Sequence, residues 1–338
     1  MSFEEFATYR EIKSQTAAWA QAIEVTRGVE LPNPADYEQV IFTGCGSTYY
    51  LSLAASSLYQ ELTGRAARGV PGGELLLNGK TILTEQKTLL VAISRSGTTT
   101  ETVRAIEKFK AEKHGDVLVI SNYHATLSSL GDFVIEIPKG QEKSVAQTRS
   151  FASMYVAVAA VCARMAGKDD LLSDMDKLPQ LGEKLMEKYE PYAKELGENL
   201  DFDRFYFLGS GILYGLACEV NLKLKEMTLT HSEPFTFFEF RHGPMSMVNE
   251  NALIVGMLSD VNHVHEAKVL VEMEELGGTV ASLGEGDAKI QFESGISEYV
   301  RNVLYLPILQ LMSFYRSRAK KLNPDRPNNL TAVIKLDI

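Results

Sequence analysis

Short apolar runs alternate along this chain with longer stretches in which apolar residues recur at helical spacing. The apolar runs, three in each half, are residues 40–42, 88–93, 116–120, 205–208, 252–258 and 279–283. Buried strands that alternate with helix-length segments are typical of βαβ units, whose helices cover both faces of a parallel sheet. The pattern therefore predicts an α/β fold built on parallel sheets.

The two halves of the chain also repeat one another at an offset of 165 residues. Gly-Cys-Gly at 44–46 follows the first apolar run, and Gly-Ser-Gly at 209–211 follows the corresponding run of the second half. At the same offset, Glu61 falls on Glu226. Two copies of one unit explain this correspondence, so we expect two tandem doubly wound, flavodoxin-like domains.

The expected domains span residues 1–167 and 168–338, and each is long enough to bury a hydrophobic core. Residues 168–200 are dense in Glu, Lys and Leu and contain Pro179 and Pro191. This composition favours connecting helices over a flexible linker.

Charge and composition argue against several classes of protein. The 34 basic and 44 acidic residues give a net charge of −10 with no basic run, so the attraction that supports nucleic-acid binding is missing. The N-terminus lacks the features of a secretory signal, and the most apolar run, 154–163, is well short of the ~20 residues of a membrane-spanning helix. We therefore expect a cytoplasmic protein with no membrane partner.

The three cysteines, Cys45, Cys162 and Cys218, are widely separated and lie in apolar surroundings. Their odd number and their spacing disfavour both a disulfide framework and a cysteine-based zinc site. We expect buried free thiols.

A hydroxyl-rich loop, Ser-Arg-Ser-Gly-Thr-Thr-Thr-Glu-Thr at 94–102, separates a predicted strand from a predicted helix. This arrangement gathers backbone N–H groups and hydroxyl donors at the positive end of a helix, which favours phosphate binding. An ordinary helix cap is the alternative, because one Ser or Thr can cap a helix alone. Six hydroxyls around one glycine exceed that need, and a P-loop is excluded because the Gly-Lys-Ser/Thr ending is absent.

Neither a cofactor nor a metal ion is predicted. The loop Gly-Cys-Gly-Ser-Thr at 44–48 resembles the start of a dinucleotide-binding fingerprint, but Tyr-Tyr at 49–50 occupies the region of the third glycine and no acidic residue ends the next strand. His263 and His265 stand near Asp260, but no cluster of His, Cys and carboxylate residues completes a metal site.

The second half differs from the first in its candidate chemistry. Its loop at 259–263 lacks the hydroxyl cluster and carries an acid, so we expect that the duplicated phosphate site is lost. It offers instead Glu219, Lys223 and Glu226, spaced i, i+4 and i+7 beside the apolar face of a predicted helix. Spacing alone favours a solvent-exposed ladder of ion pairs.

His242 stands directly before Gly-Pro, which places it on a constrained turn. Imidazole is the side chain best suited to proton transfer near neutral pH. Four phenylalanines crowd the preceding segment, 235–240. Because aromatic residues are enriched in interface cores and are hard to bury together in one small domain, we expect this segment at a subunit interface.

Six motifs carry a resemblance that covers nearly the whole chain: Gly-Cys-Gly-Ser-Thr at 44–48, Ser-Arg-Ser-Gly-Thr-Thr at 94–99, Glu-Lys-Ser-Val-Ala-Gln-Thr at 142–148, Lys-Leu-Lys-Glu at 223–226, Arg-His-Gly-Pro at 241–244 and Asn-Pro-Asp-Arg-Pro-Asn-Asn-Leu at 323–330. Together they resemble the two-domain sugar isomerase (SIS) proteins. That family includes the isomerase half of glutamine–fructose-6-phosphate aminotransferases, amino-sugar-phosphate deaminases and ketose/aldose isomerases.

The resemblance implies a role for each matching residue. Glu226 is the expected proton-transfer base, Lys223 assists it, and His242 opens the sugar ring, reaching in from the neighbouring subunit of a homodimer. The residues expected to bind the sugar and its phosphate are Cys45, Gly46, Ser47, Thr48, Ser94, Arg95, Ser96, Thr99, Val145 and Ala332.

The chain departs from the family in two places. The aminotransferases and deaminases carry a lysine, able to form a Schiff base, two residues after the tail leucine, whereas here Ala332 takes that place after Leu330. Lys335 lies three positions later, and in an extended tail an odd offset points to the other face. The aminotransferases also need a glutaminase domain headed by a cysteine, and no cysteine precedes Cys45, so glutamine-dependent synthesis is not expected.

The expected function is that of an enzyme of amino sugar metabolism, an isomerase or deaminase acting on a hexose 6-phosphate or amino-hexose 6-phosphate. A carboxylate base would transfer a proton between C1 and C2, as in the interconversion of glucosamine 6-phosphate and fructose 6-phosphate. The alternative is a sensor that binds a sugar phosphate without converting it. Glu226 and His242 favour the enzyme.

Overall fold

A computed structural model describes residues 2–334 and 336. Its strands are β1 (Gln39–Gly44), β2 (Ala67–Pro71), β3 (Thr88–Ser94), β4 (Gly115–Ser121), β5 (Phe133–Glu136), β6 (Arg204–Leu208), β7 (His231–Phe235), β8 (Ala252–Met257), β9 (Thr279–Gly284) and β10 (Ile290–Gln291). Its α-helices are α1 (Ala7–Lys13), α2 (Gln15–Gly28), α3 (Ser47–Thr63), α4 (Gly72–Leu77), α5 (Thr100–Ala111), α6 (Thr126–Leu130), α7 (Arg149–Met165), α8 (Asp169–Met175), α9 (Leu178–Glu198), α10 (Ile212–Thr228), α11 (Phe237–Phe240), α12 (His263–Glu275), α13 (Glu298–Arg301) and α14 (Tyr305–Ala319).

The strands form two five-stranded sheets in which the neighbouring strands run parallel. Their orders are β2-β1-β3-β4-β5 and β7-β6-β8-β9-β10. Central strands of parallel sheets are covered on both faces and read as continuous apolar runs. β3 and β8 fit this rule, since both are buried along their whole length. The predicted α/β class with parallel sheets is confirmed.

Both sheets have the same strand order when each is counted from its own first strand. This 2-1-3-4-5 order is the flavodoxin-like one, and open sheets of this kind bind ligands beyond the carboxyl ends of the strands where the order reverses. The reversal falls between β1 and β3 in one sheet and between β6 and β8 in the other. These two places are where a site is expected from topology alone.

The chain divides into two compact units that are interleaved along the sequence. The first-sheet unit takes Ser14–Glu142, Gln147–Pro179 and the segment from Thr331 onward. The second-sheet unit takes the segment up to Lys13, Lys143–Ala146 and Gln180–Leu330. The predicted domain boundary between residues 167 and 168, which is inferred from the sequence repeat, stays a prediction.

In the first-sheet unit, alternation along the strands directs side chains to both faces. Ile41 and Leu90 point to the face where α5 buries Phe109. Phe42 points the other way, toward Tyr59 of α3, with the two ring centroids 6.0 Å apart. The apolar run at 154–163 belongs to α7, a buried helix of this unit.

In the second-sheet unit, α10 and α11 lie on opposite faces of the sheet. Tyr206 of β6 packs against Phe237 and Phe240 of α11. Phe205, its neighbour along the strand, points to the other face, where the guanidinium of Arg316 on α14 lies 4.6 Å from its ring. α10 packs against α14 on that same face. This placement separates the side chains of α10 from the turn that follows α11.

The aromatic segment at 235–240 is more buried than expected. Phe237 and Phe240 lie in the core of their own unit, and Phe238 is the strongly exposed one, at 52%. The expectation that one domain has no room for these rings is wrong for Phe237 and Phe240, because the short helix α11 turns them both toward the sheet. The subunit interface itself stays a prediction.

The expected connecting helices are present. Residues 168–200 form α8 and α9, and α9 continues through Pro191. Within the part of the chain that the structure describes, no helix is both long enough and apolar enough to cross a bilayer.

Candidate active site

Two loops of the first-sheet unit meet at the place where its strand order reverses. β1 and β3 are parallel neighbours, so the loops that follow them leave the sheet at the same edge. Cys45 in the first loop lies against the start of α5, with its Sγ 3.6 Å from Thr102 Oγ1. The predicted phosphate-binding residues of both loops are therefore brought together by the fold.

The second of these loops, 94–99, is folded around its hydroxyl groups. Gly97 takes φ +66° and donates its N–H to Ser94 Oγ at 3.2 Å. Ser94 Oγ lies 3.2 Å from Thr99 Oγ1, and Thr98 donates its N–H to Ser96 Oγ at 3.2 Å. The loop thus holds its hydroxyls in one cluster ahead of α5.

An ordinary helix cap does not account for this loop. Thr99 occupies the N-cap position of α5, yet among the described residues its side chain makes no capping hydrogen bond and instead faces Ser94. The 12-residue helix directs the positive end of its dipole at the cluster. Hydroxyl donors and helix N–H groups at one point are what a phosphate dianion requires.

The first loop, 44–48, is held by its own threonine. Thr48 Oγ1 accepts the N–H of Cys45 at 2.9 Å and donates to the carbonyl of Cys45 at 3.0 Å. A Cβ on Gly44 would lie 2.4 Å from Thr48 Oγ1, so only glycine fits there. Gly46 at the start of α3 takes φ 58° and ψ −124°. Ser47, at the first turn of α3, is buried beside this turn.

Arg95, expected to bind substrate, makes contacts of a different kind. It is 7% exposed, and its guanidinium donates to the carbonyl of Ala332 at 2.7 Å and to Glu142 at 3.3 Å. The buried Glu142 in turn accepts the N–H groups of Thr148 and Ser150. Arg95 thus links the loop at 94–99 to Ala332 and to Glu142, and its expected role in substrate binding stays a prediction.

The corresponding loop of the second-sheet unit satisfies its donors internally. Ser259 donates both its N–H, at 2.7 Å, and its hydroxyl, at 3.0 Å, to the carboxyl group of Glu266. Burial raises the pKa of Glu266 to about 7. Asp260 in the same loop pairs with the buried Arg301. In this loop a carboxyl group of the protein therefore accepts the hydrogen bonds of the donors, whereas the corresponding loop of the first-sheet unit carries the hydroxyl cluster.

Glu219, Lys223 and Glu226 form a cluster on α10 that is mostly buried. Lys223 is 1% exposed and lies 3.6 Å from Glu219, which is also buried, while its ammonium donates to the Glu226 carboxylate. Glu226 keeps a side-chain exposure of 19%. The expectation of a solvent-exposed ladder is wrong, because two of the three charges are removed from water. A lysine fixed between two carboxylates holds Glu226 as a partly exposed carboxylate.

Glu226 lines a small depression of its own unit. The depression is also lined by Asn323 and Asn328, which belong to the tail motif at 323–330. The backbone of this motif is hydrogen-bonded to Val145, whose N–H donates to the carbonyl of Asp325 at 3.1 Å. Three of the family-like motifs are therefore joined within the second-sheet unit.

His242 is not joined to this cluster in the part of the chain that the structure describes. It is exposed on the turn after α11, on the sheet face opposite α10. Gly243 beside it takes φ 129°, which a side chain would disfavour. Arg241 fixes the turn by pairing with Glu272 and stacking over Phe238.

The remaining candidate residues have separate partners. His263 lies 2.9 Å from Asp287, whereas Asp260 pairs with Arg301. Within residues 2–334 and 336, no group of three or more His, Cys, Asp or Glu side chains is arranged to hold a metal ion. Lys335 lies outside the described residues.

The cysteines are free thiols, with Cys162 and Cys218 buried as expected. Cys45 is half-buried in the phosphate-loop region, and burial raises the pKa of its thiol.

Two glutamates and an aspartate were not singled out by the sequence. Glu11 accepts three hydrogen bonds from Lys143 and Ser144, Glu142 binds Arg95, and Asp325 caps α1. Glu142 and Asp325 lie inside motifs that the resemblance rests on, which is the one signal that marks them. Glu11 carries no such signal.

Comparison with known proteins gives one family match. Residues 35–164 match the family model for the SIS domain. These residues include both loops at the β1–β3 edge, so the hydroxyl cluster lies inside the matched segment.

A curated relative of this chain is glutamine–fructose-6-phosphate aminotransferase [isomerizing] of Methanothermobacter thermautotrophicus. It is 26% identical over 340 residues, which cover 96% of this chain and 55% of the relative. The chain thus spans about half the length of the curated relatives it matches.

Two solved structures share the fold. Glucosamine-6-phosphate deaminase of Thermotoga maritima has a TM-score of 0.81 and 24% identity, covering 98% of this chain and 100% of that one. Tagatose-6-phosphate ketose/aldose isomerase of Escherichia coli has a TM-score of 0.80 and 21% identity, covering 96% and 95%. At these identities the likeness concerns the fold.

Proposed function

We propose that this protein is an enzyme that interconverts the aldose and ketose forms of a hexose 6-phosphate or amino-hexose 6-phosphate, with release of ammonia from the amino sugar. The observation that carries the proposal is the α10 cluster, in which buried Lys223 holds Glu226 as a partly exposed carboxylate. The names of the relatives, which act on sugar phosphates, support the same class.

The proposed reaction needs three functions from the chain. The hydroxyl cluster at Ser94, Ser96 and Thr99 binds the phosphate, so that remote binding energy orients the reacting carbons. His242 protonates the ring oxygen and frees the open chain. Glu226 then removes the proton from C2 of the aldose and returns it at C1 through an enediol or enolamine, with Lys223 holding the carboxylate in place. For the amino sugar this leaves an imine at C2, which one water molecule hydrolyses to the ketose and ammonia.

We further propose that the second-sheet unit is a second copy of the SIS domain. Its strand order is the same, and Gly211 at the start of α10 takes φ 56° and ψ −123°, within two degrees of the values at Gly46. In this copy the carboxyl group of Glu266 is the partner of the loop, and Lys223 stands on the helix where the first copy has Leu58.

The active form is proposed to be a homodimer in which His242 comes from the neighbouring subunit. Two observations support this: His242 is exposed, and its turn lies on the sheet face opposite Glu226. A histidine in this position reaches a substrate on α10 more readily from a second copy of the chain than from its own.

A sugar-phosphate sensor is the second candidate. The observation that favours it is Ala332 in the place of the family's lysine, since loss of a reactive amine is one route from enzyme to binding protein. The buried Lys223 and the accessible Glu226 favour the enzyme, because phosphate binding alone needs neither.

Turnover decides between the two candidates. Glucosamine 6-phosphate and fructose 6-phosphate are incubated with the protein in deuterated water, followed by NMR, with ammonia assayed in parallel. We expect deuterium at C1 or C2 of the sugar phosphate and interconversion of at least one aldose with its ketose. Binding without exchange or conversion of any hexose 6-phosphate would support the sensor instead.

The phosphate loop makes a prediction of its own. The double variant Ser96→Ala, Thr99→Ala is expected to weaken binding of the sugar phosphate roughly a hundred-fold, because two hydroxyl donors to a dianion are lost. Isothermal titration measures the affinity, and thermal unfolding verifies the fold. The matched control is Thr81→Ala, Thr84→Ala, which removes two exposed threonine hydroxyls of the same unit. Equal affinity in the two double variants would reduce the loop to a structural turn.

The absence of the family's lysine at position 332 leads to another testable prediction. Borohydride reduction in the presence of fructose 6-phosphate is expected to leave the protein unmodified, because Ala332 offers no amine for a Schiff base. Ala332→Lys is expected to become covalently labelled, as measured by intact mass and peptide mapping, with Thr331→Lys as the neighbouring control. A labelled Lys335 in the unaltered protein would contradict the prediction and identify the amine that acts instead.

A further inference from the structure

Helix α1 is bound at its first turn by a residue from the far end of the chain. Asp325 accepts the N–H of Ala7 at 2.9 Å and the N–H and hydroxyl of Thr8 at 2.8 and 2.7 Å. These N–H groups belong to a helix start, where no intrahelical partner is available. Asp325 therefore serves as the cap of α1 and fixes the tail motif 323–330 on it.

The same helix binds a second segment through Glu11. This carboxylate is 5% exposed and accepts the N–H of Lys143 at 2.5 Å, the N–H of Ser144 at 3.2 Å and the hydroxyl of Ser144 at 2.6 Å. Three donors converge on one buried side chain, and two of them are backbone groups. The carboxylate thus determines the course of the main chain at 143–144.

A third contact joins these two segments to each other. Val145 donates its N–H to the carbonyl of Asp325 at 3.1 Å. The segment 143–145 and the tail motif are therefore fixed to α1 and to each other. The tail motif also contributes Asn323 and Asn328 to the depression that Glu226 lines.

We infer that Glu11 is a positioning residue for substrate binding, which holds the backbone at Val145 where it lines the sugar bound near Glu226. The inference rests on the proposed function. A carboxylate suits this task because it accepts from all three donors, whereas an amide or apolar side chain leaves at least one of the three without its acceptor. A loop that lines the sugar contacts it equally in the ground and transition states, so displacing the loop changes KM more than kcat.

The test compares Glu11→Gln with Glu24→Gln, a matched change at an exposed glutamate of α2. In Glu11→Gln we expect KM for the hexose 6-phosphate to rise roughly ten-fold with kcat changed by less than about two-fold. Hydrogen exchange of the amides at 143–145 should become faster in the same variant and stay unchanged in the control. Ser144→Ala, which removes one of the three donors and no charge, should shift KM in the same direction by less.

Each alternative result has a definite meaning. A variant that only destabilises the fold loses active protein, which lowers kcat and leaves KM unchanged, and that result would overturn the inference. Unchanged exchange at 143–145 would overturn it as well, and so would faster exchange with unchanged KM. If the unaltered protein neither binds nor converts any hexose 6-phosphate, the proposed function is wrong. This result is distinguishable from the others because it is obtained with the unaltered protein and not with a variant.

Discussion

The variant Glu226→Gln is expected to lose C1–C2 proton exchange by roughly 10²–10⁴-fold while it still binds the sugar phosphate, since that is what a positioned base contributes. The amide keeps the length and shape of the side chain but has no carboxylate to accept the proton. It also retains an oxygen that can accept from Lys223, so the buried ammonium is not left without that partner. Exchange is measured by deuterium incorporation at C1 or C2, and binding by titration.

The repeat supplies the control for this variant. Glu61 occupies the position on α3 that corresponds to Glu226 on α10, and it is exposed. Glu61→Gln makes the same chemical change at the equivalent turn of the other unit and is expected to leave exchange unchanged. A Glu226→Gln variant that exchanges protons as fast as Glu61→Gln would remove Glu226 from the role of base.

The layered fold could be predicted from the sequence because its cause is local. The runs at 89–93 and 252–258 are short and apolar, as in strands covered on both faces, and both lie in central strands. The glycine pairs at 44–46 and 209–211 marked the turn from strand to helix in each unit, and both second glycines take positive φ.

The state of the α10 cluster could not be predicted in the same way. Residues spaced i, i+4 and i+7 share one stripe of a helix whether that stripe faces water or protein. Lys223 is buried in the folded unit, where α10 packs against α14, a helix that begins about 80 residues later in the chain. Burial that is created by a distant element leaves no trace in the local spacing.

The hydrogen bonds that anchor α1 also could not be predicted from local sequence patterns. Glu11 and Ser144 are 133 residues apart, and Thr8 and Asp325 are 317 apart. Neither helix spacing nor strand alternation relates residues at such separations. Nor does the motif around Arg95 indicate that its guanidinium donates to Glu142 and to the carbonyl of Ala332.

Mixing two inactive variants, Glu226→Gln and His242→Ala, is expected to restore activity if the subunits are allowed to dissociate and reassemble. In a symmetric dimer each site takes Glu226 from one chain and His242 from the other, so a mixed dimer contains one site with both residues intact and one with neither. Random assembly makes about half of the dimers mixed, and roughly a quarter of the parent activity is then expected.

The control for this experiment is a pair of variants that the same argument cannot rescue. Glu226→Gln and Lys223→Met alter two side chains of one α10 cluster, so every site of a mixed dimer lacks one member and no activity should return. Subunit exchange is verified in both mixtures by native mass spectrometry of differently tagged chains. Recovery in the His242 mixture alone requires that the histidine crosses between subunits. If exchange is complete and that mixture stays inactive, His242 either serves the site of its own chain or takes no part in the reaction, and its exposure on the sheet face opposite Glu226 then favours the second.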